Sequence, residues 1–164
     1  MGTFSDAMIE YRRQLERGYI QEAYQGLMAF FRDLRSNFIS KYPQYSVSNN
    51  IYYGYMDMTY FSLMPKSFKR RQLKIPIVFL HNVFRFEVWL SGSNRDVQEK
   101  YWNLIQASNW DLYHLVSDPR AADCVIDHVL VGNPNFTDLD ALKEDIEGGV
   151  LEFISEIERL LAVL

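Results

Sequence analysis

Six side chains in the middle of the sequence have the types and spacing of a small-molecule site: Tyr53, Tyr55 and Asp57, then Arg85, Glu87 and Trp89. Each trio runs i, i+2, i+4, the spacing that puts side chains on one face of a strand. A guanidinium such as Arg85 holds a carboxylate or phosphate through two parallel hydrogen bonds, and the rings stack on a ligand or exclude water. The expected ligand is therefore small and polar or anionic. The competing reading is structural: an Asp57–Arg85–Glu87 ion-pair cluster on a half-solvated sheet face.

A second group is basic. Residues 65–74 carry Lys66, Lys69, Arg70, Arg71 and Lys74 with no acid among them. With Phe68, such a loop could grip phosphates and stack a base. One loop supplies few phosphate contacts, however, so a nucleic-acid accessory role through residues 66–74 ranks third and a solvated loop is the expected outcome. Other chemistries fail on residue type. A restriction-type nuclease built on Asp57 and Glu87 needs a lysine where Trp89 stands. His81, His114 and His128 are too scattered for a metal motif, and no metal or cofactor is expected. Phosphate-cradling glycine loops, Gly-x-Ser-x-Gly and Cys-x-x-Cys are all absent. No catalytic motif is recognisable, so the sequence leaves open whether the protein is an enzyme.

The elements that must carry these residues are legible from periodicity. A helix is expected over 5–17, with Thr3 and Asp6 spaced as a capping box and Gly18 as the stop. A second runs over 19–41 on the stripe Ile20, Tyr24, Leu27, Phe31, Leu34 and Phe38, ending at Pro43. Residues 51–64 read as one strand, and 74–81 with 84–90 as a hairpin turning at Asn82-Val83. That turn pairs Leu80 with Arg85, Val78 with Glu87 and Phe79 with Phe86. Ile75, Ile77, Phe79, Phe84, Phe86, Val88 and Leu90 then form the core face. On 51–64 the even positions Met56, Met58 and Tyr60 are expected in the core. The odd positions Tyr53, Tyr55, Asp57 and Thr59 then join Arg85, Glu87 and Trp89. A helix over 94–107 is expected to start at Ser93 with Asp96 completing its cap. Strands follow at about 111–117 and 124–131, then one long helix from Thr137 whose apolar phase survives Gly148-Gly149.

Composition sets the outer bounds. The 164 residues are 48% hydrophobic and 15% aromatic, enough for one self-sufficient core and too apolar for disorder. Residues 138–164 carry a net charge of −6 and the rest +2, which discourages non-specific binding to nucleic acid or anionic membranes. No run approaches a membrane span. Cys124 has no partner and lies in an apolar stretch, so a buried thiol in a reducing cytoplasm is the expectation.

Three segments carry a resemblance: Tyr53-Gly54-Tyr55-Met56-Asp57-Met58-Thr59-Tyr60-Phe61, Phe84-Arg85-Phe86-Glu87-Val88-Trp89-Leu90 and Lys100-Tyr101-Trp102. With Gly26-Leu27-Met28 and the Asn133-Pro134 to Asp138-Leu139 stretch, the chain resembles an uncharacterised prokaryotic family known only as a domain of unknown function. The resemblance implies a complete stand-alone protein and brings no activity or catalytic residue.

The sequence thus predicts a single α+β domain over residues 1–164. A mainly antiparallel sheet of about five strands is packed by about four helices, with the N-terminal pair and the C-terminal helix on the core face. Binding of a small ligand at Tyr53, Tyr55, Asp57, Arg85, Glu87 and Trp89 is the leading functional expectation. A homodimer or other protein interface on that aromatic face is the alternative.

Overall fold

A computed structural model describes residues 2–164. The order is α1 (Phe4–Arg17), α2 (Tyr19–Lys41), β1 (Ser46–Val47), β2 (Met58–Met64), α3 (Lys66–Arg70), β3 (Leu73–Leu80), β4 (Arg85–Gly92), α4 (Arg95–Ala107), β5 (His114–Leu115), β6 (Ile126–Val131) and α5 (Leu139–Val163). The strands form one antiparallel sheet in the order β1-β2-β3-β4-β6-β5. The α+β class holds. The sixth strand is the two-residue β1, and the fifth helix is α3, a single turn inside the expected basic loop.

The hairpin is the centre of the sheet. Leu80 faces Arg85, Phe79 faces Phe86 and Val78 faces Glu87, the pairs expected from a turn at Asn82-Val83, but the connection spans His81–Phe84, and Phe84, expected in the core, sits at φ 54° and is exposed. Its inward face, Ile75, Ile77, Phe79, Phe86, Val88 and Leu90, has no exposure to solvent. Against it lie Phe30, Phe31, Leu34 and Phe38 of α2, and Ile146, Val150, Phe153, Ile154 and Ile157 of α5. Aromatic edges and faces interlock there: Phe31 sits 6.2 Å from Phe61 and 5.9 Å from Phe86, which is 5.0 Å from Phe79. Burying so many rings is the main favourable term, at about 1.5–3 kcal/mol per large side chain.

The helix ends show how local chemistry decides. Thr3 and Asp6 form the reciprocal capping box, and Gly18 ends α1 in the left-handed region at φ 81°. Two caps lie one residue beyond the expected positions. Asn94, not Ser93, accepts from the Val97 amide at 2.9 Å, and Asp138, not Thr137, accepts from the Ala141 amide at 3.1 Å. Ser93 is held instead by the Gln72 carbonyl, and Thr137 by Asn135. A carboxylate clip fastens α2 to α5: Glu147 accepts from Tyr42, from Asn37 at 2.9 Å and from Lys41 at 3.2 Å. Burial works against the Glu147 charge, but those three donors outweigh it and hold its pKa below the usual range. The same bond pushes the Tyr42 phenol up to about 12.

One packing expectation fails. α1 buries no residue, so only α2 and α5 of the three helices cover the core face.

α5 runs unbroken through both glycines, for different reasons. A Cβ on Gly149 would lie 2.6 Å from Leu130 Cδ2, whereas one on Gly148 meets open space. Gly148→Ala is therefore expected to stabilise the protein by about 1 kcal/mol in urea unfolding, from helix propensity alone. Gly149→Ala gains less or nothing, because Leu130 must move; equal gains would show that helix α5 does not press on β6 there.

Candidate functional site

Residues 51–57 are not strand. Gly54 sits at φ 76° with the Met58 carbonyl where a Cβ would need to be, 2.0 Å away, and Met56 follows at φ 62°. These two residues turn the chain into a loop, joined to the sheet by the Tyr52–Tyr60 bridge, by the Thr59 hydroxyl on the Tyr53 carbonyl and by the His81 amide on the Asp57 carbonyl. Tyr53 and Tyr55 are exposed on it, Tyr55 at 91%. The Asp57 carboxylate accepts from the Tyr55 and Met58 amides, which keep its pKa low, and it forms no ion pair among the described residues.

The faces of β2 are the reverse of those expected. Thr59, Phe61 and Leu63 point into the core; Met58 and Tyr60 lie on the other face with Val78, Leu80 and Trp89. Thr59 tolerates burial because its hydroxyl donates to the Tyr53 carbonyl at 2.7 Å and meets His81 Nε2 at 2.9 Å. With its proton given to Tyr53, the hydroxyl accepts from Nε2–H, which fixes the neutral ring's tautomer. His81 thereby ties the loop to the hairpin turn, a role that the pairing of Thr59 with Phe79 makes possible and that no motif announces.

Arg85, Glu87 and Trp89 do share a face, and they satisfy each other. Glu87, 4% exposed, accepts from Arg85 Nε at 2.6 Å and from Trp89 Nε1 at 2.9 Å. Val116 and Cys124, from the segment between β5 and β6, cover Trp89 and Val78. The structure therefore divides the six predicted residues into two groups, Tyr53, Tyr55 and Asp57 on the loop and the other three on β4. No Asp57–Arg85 pair forms among the described residues.

The basic segment is also rearranged. Phe68 is fully buried beneath α3 and cannot stack a base. Arg71 donates to the Ser67 carbonyl at 3.1 Å and reaches the Leu161 carbonyl near the end of α5 at 3.5 Å. Lys66, Lys69 and Arg70 are exposed. Lys74, on β3, points to the same sheet face as Trp89.

On that face a cleft of about 510 Å³ opens beyond the covered part. Tyr52 and Tyr60, with ring centroids 5.1 Å apart, line it together with Trp89, Ser91 and Lys74. Its far side is the start of α4: Ser93, Asn94, Arg95 and Gln98. Gly92 lets the strand end approach that helix, since a Cβ there would lie 2.8 Å from the Gln98 amide. Arg95 is bound to the Ala122 carbonyl and lies 3.4 Å from Asp123. Lys74 has no ion pair and no side-chain hydrogen bond among the described residues. Burial, Tyr52 and Asp123 raise the Tyr60 pKa, so its hydroxyl stays a donor. No group of three His, Cys, Asp or Glu side chains is placed to share a metal ion among the described residues. Cys124 is buried, and desolvation first, then Asp127 and Glu87, drive its pKa far up, so it is not a nucleophile.

The chain belongs to the family described as Domain of unknown function (DUF7000), whose profile matches residues 4–161. No curated protein and no solved structure matches it. No helix among the described residues is long and apolar enough to cross a membrane.

Burial lowers the pKa of His81, with Asp57 opposing, and of His128, with Glu152, Asp127 and Glu87 opposing. Below the unfolded value near 6.5, the unfolded chain takes protons that the folded chain refuses, so stability present above that pH is lost as pH falls. The melting temperature should drop between about pH 7.5 and 5.5, and His81→Gln, which can still donate to Thr59, should flatten part of the drop. An unchanged slope would show that His81 titrates freely in the fold.

Proposed function

We propose that the protein is a binding domain for a small anionic molecule carrying a flat ring, received in the cleft between the outer sheet face and the start of α4. The observation that carries this reading is Lys74: a half-buried lysine, without an ion-pair partner among the described residues, beside two tyrosine rings and an indole. Arg95 pairs with Asp123 at 3.4 Å, which leaves Lys74 as the net charge of the lining, and the N-terminal end of α4 borders the same place. The tyrosines offer a stacking wall and the hydroxyls of Tyr60 and Ser93 offer neutral hydrogen bonds. Of the residues expected from sequence, Trp89 and Lys74 support this reading directly. Arg85 is neutralised by Glu87, which makes it a poorer anion anchor than the sequence suggested.

Adenosine 5′-monophosphate, benzoate and inorganic phosphate are suitable probes, because they separate ring from charge. The ring-bearing anions should raise the melting temperature more than phosphate does, since native-state binding stabilises by mass action. Lys74→Met, which breaks no internal bond, should weaken that binding about tenfold in calorimetry, the equivalent of roughly 1.4 kcal/mol. Identical affinities in wild type and Lys74→Met, or no response to any of the three, would refute the proposed site.

A further inference from the structure

α1 is a 14-residue helix with a continuous apolar stripe and no buried residue. Phe4, Met8 and Tyr11 recur at steps of four and three along one side, and their exposures are 83%, 47% and 51%. Leu15, next on the stripe, is half-covered where Gly18 joins α1 to α2. The stripe on α2 is uncovered at the same end: Tyr19 is 70% exposed, and Ile20 lies on the surface where Phe31 and Phe38 further along are sealed. Beside it runs an apolar groove of about 870 Å³, distinct from the cleft on the outer face. Ile20, Ala23 and Leu27 form one wall, and Phe84, Phe136 and Leu139 the other.

We infer that α1 of one copy of this chain seats its Phe4–Met8–Tyr11 stripe in this groove of a second copy, each copy filling the other's groove. The area argues for a second copy. Phe4, Tyr11, Tyr19 and Phe84 are each more than half exposed, and a fully buried aromatic covers about 150–250 Å². These four rings alone therefore offer on the order of 500 Å². With Met8, Ile9, Ile20, Met56, Phe136 and Leu139, also exposed, the surface reaches about the 800 Å² per partner of a standard stable interface. Ridge and groove occur on the same chain, so reciprocal exchange closes with two-fold symmetry and leaves neither in water. Charge argues against a lipid surface. The polar side of α1 carries three acids, Asp6, Glu10 and Glu16, against Arg12, Arg13 and Arg17, where an anionic membrane selects a basic face. Arg17, at the end of α1, and the groove-lining Glu22 form no ion pair among the described residues, which leaves one charge of each sign for the two copies to pair.

Sedimentation of the full chain between about 1 and 100 µM tests this. The wild type should have the mass of two chains. Met8→Asp on the ridge and Ala23→Arg in the groove should each weaken dimerisation at least about 100-fold, the loss of a buried hot spot. Both positions are solvent-exposed, so circular dichroism and the melting temperature should show folded variants. Mixing the two variants should restore dimers in part, because a mixed pair keeps one intact ridge and groove. A monomeric wild type overturns the inference, including one whose groove takes up an apolar dye instead. Dimers that survive Ala23→Arg but not Met8→Asp overturn it in favour of α1 pairing with α1.

Discussion

Everything in this molecule hangs on the pairing of β3 with β4. The two strands alternate without error, so one face is all Ile, Phe, Val and Leu and the other mixes Lys74, Glu87, Trp89 and Ser91 with apolar neighbours. The first face binds α2 and α5 by burial alone. The second is sealed only in part, over Val78 and Trp89. The remainder of the second face stays concave and wet, and that difference in coverage separates core from candidate site. Both edge strands are short: β1 and β5 have two residues each, and β5 pairs only with Ile126 and Asp127 of β6.

The fold was legible because its strongest signals are local. The α1 capping box, the α2 stripe, the hairpin pairing and the uninterrupted α5 phase each follow from spacing within one element. The site was less legible because it depends on parity across elements. Asp57 and Thr59 looked like an outer face and Met58 and Tyr60 like a core. A buried threonine with both hydrogen bonds met, and a tyrosine with one wet edge, invert that reading. One available signal pointed the right way: an isolated glycine in a strand pattern marks a bulge or close approach, and Gly54 does end the strand. Lys74 could be seen as basic but not as part of a cleft, since its neighbours there come from β2, β4 and α4.

The two candidate surfaces sit on opposite sides of one sheet. The cleft uses Tyr60 and Trp89 on the outer face; the groove uses Phe79 at the inward edge of the hairpin and the exposed start of α2. His81 and Thr59 connect the loop bearing Tyr52 to the turn bearing Phe84 through two hydrogen bonds. Movement of that loop would be felt on both sides, because Tyr52 lines the cleft and Met56 lines the groove.

The alternation of β2 has an evolutionary consequence. Thr59 and Phe61 serve the inside while Met58 and Tyr60 serve the outside, so the strand is written in two interleaved texts. A one-residue insertion or deletion between Met58 and Met64 would exchange them, sending Tyr60 into the core and Phe61 into the cleft. The exposed tip of the loop before the strand, Tyr55 and Met56, can absorb length changes more readily, since it lies between the attachments at Tyr53 and Asp57 and packs into no core. Length variation among relatives should therefore collect in that loop and stop abruptly at Met58.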